Sequence, residues 1–129
     1  MARRIAFVRR AADELGLDVE CVCDRAEILG RASNWRSSID VVVARSLAAP
    51  AVTAEYAAPF LRAGGFALVA EPPGGESERW SSEGLGQLGM RAGTLTVAPA
   101  ATLQRLDQVV LCADRFPRRV GIASKRPLF

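Results

Sequence analysis

Apolar and polar positions follow two rhythms along the chain. Ile5, Val8, Ala12 and Leu15 recur at 3, 4, 3 spacing, so Ala2–Leu15 is predicted helical, with Gly16 as its stop. Val19–Cys23 reads as a short strand, followed by a turn or short helix from Asp24 to about Gly30. Ala32–Ser38 is a polar loop in which Trp35 closes the edge of the core. Ile39–Leu47 holds four β-branched residues and no Gly or Pro, the pattern of a strand apolar on both faces. A helix is expected over Ala51–Arg62, shortened or kinked by Pro59 and ended by Ala63-Gly64-Gly65. Phe66–Ala70 is a second buried strand, and Glu71-Pro72-Pro73-Gly74-Gly75 is a loop. Ser77–Leu88 is a weak helix, because Gly84 and Gly86 each cost about 1 kcal/mol relative to Ala. Thr94–Ala98 and Gln108–Ala113 complete the set as an antiparallel edge pair joined through Pro99–Arg105.

This alternation argues an α/β fold with a mostly parallel sheet and an antiparallel edge. Ile39–Leu47 takes the central place, and its carboxyl end, Ala44-Arg45-Ser46, introduces a charge where open parallel sheets bind ligands. Gly64-Gly65 precedes a strand and so is no phosphate cradle, and neither a G-x-G-x-x-G motif nor a P-loop occurs. Gly74-Gly75 follows two prolines and reads as linker.

The chain has 129 residues, which suits one domain, and half are hydrophobic, enough for a core. No apolar run approaches the roughly 20 residues of a membrane span. The Arg-rich start lacks the apolar stretch of a secretory signal, which points to a cytoplasmic protein. The net charge of +3 is concentrated at the ends. Arg3, Arg4, Arg9 and Arg10 open the chain, and Arg115, Arg118, Arg119, Lys125 and Arg126 close it. Such patches suit a polyanion such as nucleic acid, or form an ordinary solvated face. Cys21, Cys23 and Cys112 have no metal-ligand spacing and read as reduced core thiols, so no metal is expected. With no histidine in the chain, Ser-His and Cys-His catalysis is excluded.

The segment from Arg115 to Phe129 reads as extended and basic, with Pro117 and Pro127 blocking regular structure and apolar anchors between the cations. Guanidinium forks presented in this way match phosphates. Its sequence resembles the carboxyl-terminal signature of the RsmG family, the small-subunit ribosomal RNA guanine-N7 methyltransferases also called glucose-inhibited division protein B. Pro117, Arg118, Arg119, Gly121, Lys125, Pro127 and Leu128 fit that signature, with Phe116 in place of Tyr and Ala123 in place of Pro. Upstream, Arg4–Leu17, Val19–Glu27, Val41–Ala48 and Pro59–Leu68 are similar to successive segments of the family. The resemblance covers nearly the whole chain but only the carboxyl-terminal half to two-thirds of the family.

The resemblance implies a truncated class I, Rossmann-like methyltransferase domain, a three-layer sandwich over residues 1–129 with a basic tail at 115–129. It implies S-adenosylmethionine as cofactor, with Arg25, Ala26 and Glu27 on the adenine side and Arg45 near the methyl-donor end. It implies rRNA of the small ribosomal subunit as partner, met through Arg115, Arg118, Arg119, Lys125 and Arg126. The family's Gly-rich loop after its first strand and the acidic residue after its second fall upstream of Met1 in the resemblance, so these positions make about half a site. Where the family carries Lys-Gly, this chain has Glu71-Pro72, a reversed charge at the mouth of the site. No catalytic base is required, since guanine N7 is a bare acceptor and catalysis is mostly positioning. The candidate functions are therefore an S-adenosylmethionine-dependent rRNA methyltransferase completed elsewhere, a non-catalytic RNA- or ribosome-binding relative, or a relic. Without the family's first strands, Val19–Cys23 is expected to pair directly with Ile39–Val43. Otherwise that edge stays open to a partner or a second copy in a homodimer.

Overall fold

The computed structural model describes residues 1–73 and 77–129. In chain order the elements are α1 (Ala2–Glu14), α2 (Ala26–Leu29), β1 (Ile39–Ala44), α3 (Pro50–Ala57), β2 (Leu61–Glu71), a 3-10 turn (Ser77–Arg79), α4 (Ser82–Gln87), β3 (Met90–Ala98), β4 (Ala101–Gln108) and α5 (Ile122–Lys125). The four strands form one sheet in the order β1-β2-β4-β3. β1 and β2 run parallel, and β4 runs antiparallel to both β2 and β3. The α/β class and the antiparallel edge pair follow the sequence pattern.

Helix α3 is the centre of the packing. Pro50 starts it, where the missing N–H costs nothing, and Ala51, Val52, Thr53, Ala54, Glu55 and Ala57 are all buried. Its small residues let Leu61, Ala67 and Val69 of β2 approach, together with Trp80, Leu85, Leu88, Met90, Leu106, Cys112 and Phe116. Val42 and Ala44 of β1 close one side of this core, and Leu128 and Phe129 close the other. The helical layer that buries the core thus lies on one face of the sheet.

The expectations for the first strands are corrected. Val19–Cys23 forms no strand and does not pair with β1. It lies instead beside α1, where Arg9 donates to the Cys21 carbonyl at 3.0 Å. Consequently β1 is an edge strand, not the centre. Val41 is 41% and Val43 75% exposed on the face away from the core, where a strand apolar on both faces would ordinarily be covered.

The second strand of the edge pair is Ala101–Gln108, not Gln108–Ala113. Its core-facing positions include Gln104 and Gln108, whose side-chain amides do backbone work. Gln104 Nε2 donates to the carbonyls of Gly93 and Arg105, and Gln108 Nε2 to those of Leu88 and Val110. The apolar run Val109-Val110-Leu111, which reads as a strand, is exposed.

β2 also begins earlier than Phe66. Ile39 pairs with Leu61 but Val41 pairs with Phe66, so the extra residues of β2 bulge at Ala63-Gly64-Gly65. Gly64 adopts φ +82°, and a Cβ at Gly65 would sit 2.8 Å from the Asp40 carbonyl oxygen. The glycines that read as a helix break are thus built into a strand. Helix α3 accordingly ends at Ala57 rather than Arg62. The weak helix divides into the 3-10 turn and α4, with Ser81 Oγ capping α4 by accepting from the Gly84 amide at 3.2 Å. Gly74 and Gly75 of the expected linker lie outside the described residues.

The carboxyl terminus packs directly on α4: a Cβ at Gly84 would meet Cδ1 of Phe129 at 1.9 Å. Gly84→Ala should therefore lose stability, although Ala for Gly in an unobstructed helix gains about 1 kcal/mol. Adding Phe129→Ala to that variant should restore the helix gain. Urea unfolding of the two single variants and the double variant reads this coupling.

Candidate functional site

The basic tail is seated by two buried carboxylates, Glu55 and Glu27, and by Arg31 and Arg36. Glu55 of α3 is 1% exposed and sits in an otherwise apolar turn. It accepts the Arg118 amide at 2.9 Å and the Arg118 guanidinium through Nε at 3.0 Å and Nη2 at 2.6 Å. This forked pairing raises the Arg118 pKa above its ordinary value, against the opposing effect of burial. Glu27 of α2 accepts the Gly121 amide at 3.0 Å and the Tyr56 hydroxyl at 3.1 Å. Burial pushes the Glu27 pKa up. The hydrogen bonds from Gly121, its own amide and Tyr56, with the charge of Arg25, outweigh this and hold it below the ordinary carboxylate value.

Arg36 fastens the preceding loop, donating to the carbonyls of Gly30, Cys112, Ala113 and Phe116 at 2.8–3.1 Å. Arg31 donates to the carbonyl of Pro117. Phe116 and Pro117 are fully buried, and a helical turn, α5, places Ala123 in the interior. The tail is therefore folded and docked, a correction to the expected extended segment. Its prolines flank the helical turn instead of excluding it. Cys112 lies under this loop, its thiol pushed up to about 11 by burial.

Docking divides the five cations expected to meet nucleic acid. Arg118 points inward and is spent on Glu55, whereas Arg115, Arg119, Lys125 and Arg126 are exposed. Sequence reasoning did not single out Glu55, Arg36 or Arg31. The available signal was Glu55 itself, a carboxylate in the apolar run from Ala51 to Ala57, since a buried charge requires a partner.

At the carboxyl ends of the parallel strands lie two adjoining hollows of about 530 and 310 Å³. Arg45 lines both, following β1 directly, with Ser46 turned to φ +50°. Glu71 lines both as well, but its carboxylate is engaged by the Trp80 indole N–H at 2.8 Å and by Arg79. The reversed charge at the family's Lys position is thus matched by a nearby cation, and Arg79 lines the smaller hollow.

Arg25, Ala26 and Glu27 line neither hollow. Arg25 is exposed, and the Glu27 carboxylate, 4% exposed, holds Gly121 and Tyr56. A cofactor of the S-adenosylmethionine class needs its contacts gathered around one crevice. Arg25, Ala26, Glu27 and Arg45 do not come together as such a set.

Two variants separate the seating contacts from the exposed cations. Arg118→Ala leaves Glu55 buried and unpaired and should destabilise the fold by about 3 kcal/mol. Glu27→Gln should cost about 1.5–3 kcal/mol at neutral pH, the range for hydrogen bonds to a charged group. Because the folded pKa of Glu27 is depressed, its contribution is present above the unfolded value and fades as pH falls through the folded one. The gap between wild type and Glu27→Gln should therefore shrink on acidification below the ordinary 4.5. Urea denaturation across pH 3–7 tests this (the range set by ordinary carboxylate titration).

The sequence model of the family described as rRNA small subunit methyltransferase G, GidB, matches residues 1–78. A protein named ribosomal RNA small subunit methyltransferase G in Moorella thermoacetica is 36% identical, the match covering 98% of this chain and 56% of the relative. Proteins of the same name in Deinococcus deserti and Deinococcus radiodurans are 41% and 39% identical, with 98% of this chain covered in each case. These matches take in 55% and 53% of the two relatives. The chain spans about half the length of the curated relatives it matches. No helix among the described residues is long and apolar enough to cross a membrane. By the family match and by identity along nearly its whole length, the chain belongs to the ribosomal RNA small subunit methyltransferase G family.

Proposed function

We propose that this chain is a cytoplasmic rRNA-binding unit of the methyltransferase family, presenting the exposed cations of its docked tail to small-subunit rRNA without itself performing methyl transfer. The observation that carries this reading is the division of labour in the tail. Glu55 and Glu27 fix Arg118 and Gly121, and Arg115, Arg119, Lys125 and Arg126 are left on a folded surface. A cation held on an ordered backbone loses less entropy on meeting a phosphate than one on a loose terminus. Arg3, Arg4, Arg9 and Arg10 on exposed positions of α1 add a second basic surface.

The relatives' name supports rRNA as the partner, and the family implies S-adenosylmethionine use in general. For cofactor binding by this chain the support is poor. Glu27 is committed to the tail, and Arg45 faces the hollows without Arg25–Glu27 beside it. Calorimetric titration of the purified chain with S-adenosylmethionine is expected to show no affinity tighter than millimolar. A tighter constant would favour the enzyme reading.

RNA binding makes a separate prediction. Replacing Arg119, Lys125 and Arg126 together by Ala should lower the slope of log affinity against log salt by about 2, at roughly 0.7 per lost single-strand phosphate contact. Thermal stability should stay unchanged. Filter binding to a small-subunit rRNA fragment between 50 and 200 mM salt, the range in which such contacts weaken strongly, reads the slope. An unaltered slope would remove the tail from the interface.

A further inference from the structure

We propose that Arg25 and Arg31, which flank α2, belong to the same phosphate-binding surface as the tail cations, so that the RNA backbone is met by two segments of the chain and Arg25 contacts a phosphodiester rather than a cofactor. This rests on the RNA-binding role proposed above and extends it to residues outside the tail.

Two contacts hold α2 against the tail. Near its amino end, Glu27 accepts the Gly121 amide at 3.0 Å. Beyond its carboxyl end, Arg31 donates to the Pro117 carbonyl. Between them Gly30 is buried, and a Cβ added there would lie 3.4 Å from Cγ of Pro117. The stretch from Arg25 to Arg31 therefore runs beside the stretch from Pro117 to Gly121. Arg25 is exposed and stands two residues before the carboxylate that seats Gly121, near enough for its charge to help hold the Glu27 pKa down. It lines neither hollow at the carboxyl ends of the strands.

Charge gives this juxtaposition its chemistry. Arg25 and Arg31 join Arg115, Arg119, Lys125 and Arg126 on two adjoining segments, and all six are exposed. None of them is paired with a carboxylate among the described residues. The carboxylates of the same two segments are already engaged. Asp24 accepts the Arg25 backbone amide at 2.7 Å, Glu27 is buried against Gly121, and Asp114 lies 3.5 Å from Arg36. Six cations gathered without free counter-charges repel one another, and a polyanion laid across them relieves that repulsion. An arginine without a carboxylate partner also keeps its planar fork for two phosphate oxygens. Arg31 spends one donor on Pro117 and has others to spare.

Filter binding of the full chain to a small-subunit rRNA fragment between 50 and 200 mM salt tests the surface. Arg25→Ala should lower the slope of log affinity against log salt by about 0.7, the share of one single-strand phosphate contact. Adding Arg31→Gln should bring the loss to about 1.4. Arg25→Lys should restore the wild-type slope, because the charge is kept. Arg91→Ala, which removes an exposed cation from β3, should change nothing. The Arg25 side chain makes no hydrogen bond among the described residues, so Arg25→Ala should keep the wild-type urea midpoint and carries the test even where Arg31→Gln loosens the tail. An unchanged slope in Arg25→Ala, beside a lowered slope when Arg119, Lys125 and Arg126 are replaced, would overturn this proposal and leave the tail interface standing. An equal loss in Arg91→Ala would overturn it too, since the effect would then be net charge alone. A salt-independent wild-type affinity would instead remove the RNA-binding role itself. Submillimolar S-adenosylmethionine binding that Arg25→Ala abolishes would return Arg25 to the cofactor.

Discussion

The pairing of Glu55 with Arg118 joins two segments that are distant in the sequence and would otherwise have no reason to meet. Glu55 projects from the most buried helix of the molecule, and Arg118 belongs to a terminus rich in proline and cations. A carboxylate that is 1% exposed would carry a desolvation penalty of several kcal/mol without its partner. The guanidinium satisfies it with a planar fork and the Arg118 amide adds a third donor. Once Arg118 is fixed, Gly121 reaches Glu27, Ala123 fills the interior and Phe129 closes over Gly84. The core of this molecule is therefore completed by its last residues.

That dependence explains where the sequence was legible. Helix α1 and strand β1 announce themselves through short-range patterns, period and β-branching. The tail was legible as a signature and a composition but not as a docked segment, because what folds it lies more than sixty residues away in Glu55 and Arg36. The same limitation misplaced β4. Its core positions are held by glutamines whose amides serve backbone carbonyls, and the apolar run after it faces solvent. Period-two hydrophobicity is a weak signal in a strand whose inward residues are Thr102, Gln104, Leu106 and Gln108, three of them polar. The edge status of β1 was hidden for a related reason: its pattern asks for cover on both faces, and the sequence of a strand does not state which chain provides the cover.

The candidate site divides along the same line. Arg45 was legible because a charge ends an apolar strand, and it does lie at the hollows. The role of Glu27 was not, because a carboxylate after a short apolar stretch has the same appearance whether it meets a ligand or a main-chain amide. Burial decides between them here, and the amide of Gly121 occupies it.

The Glu27 oxygen that seats the tail is fully engaged. Glu27 Oε1 accepts from both Tyr56 and Gly121, so turning it toward a ligand would release α5 and the cations around it. Arg45 lies apart from this seat and lines both hollows. The chemistry of the carboxyl end of the sheet thus rests on Arg45, Arg79 and Glu71, and the tail's seat on Glu55 and Glu27. The two regions share one helix, α3, whose first turn borders the smaller hollow at Pro50 and Thr53 and whose last turn holds Glu55 and Tyr56. Rigid burial of that helix is what lets one end hold the tail while the other borders a solvent-filled crevice.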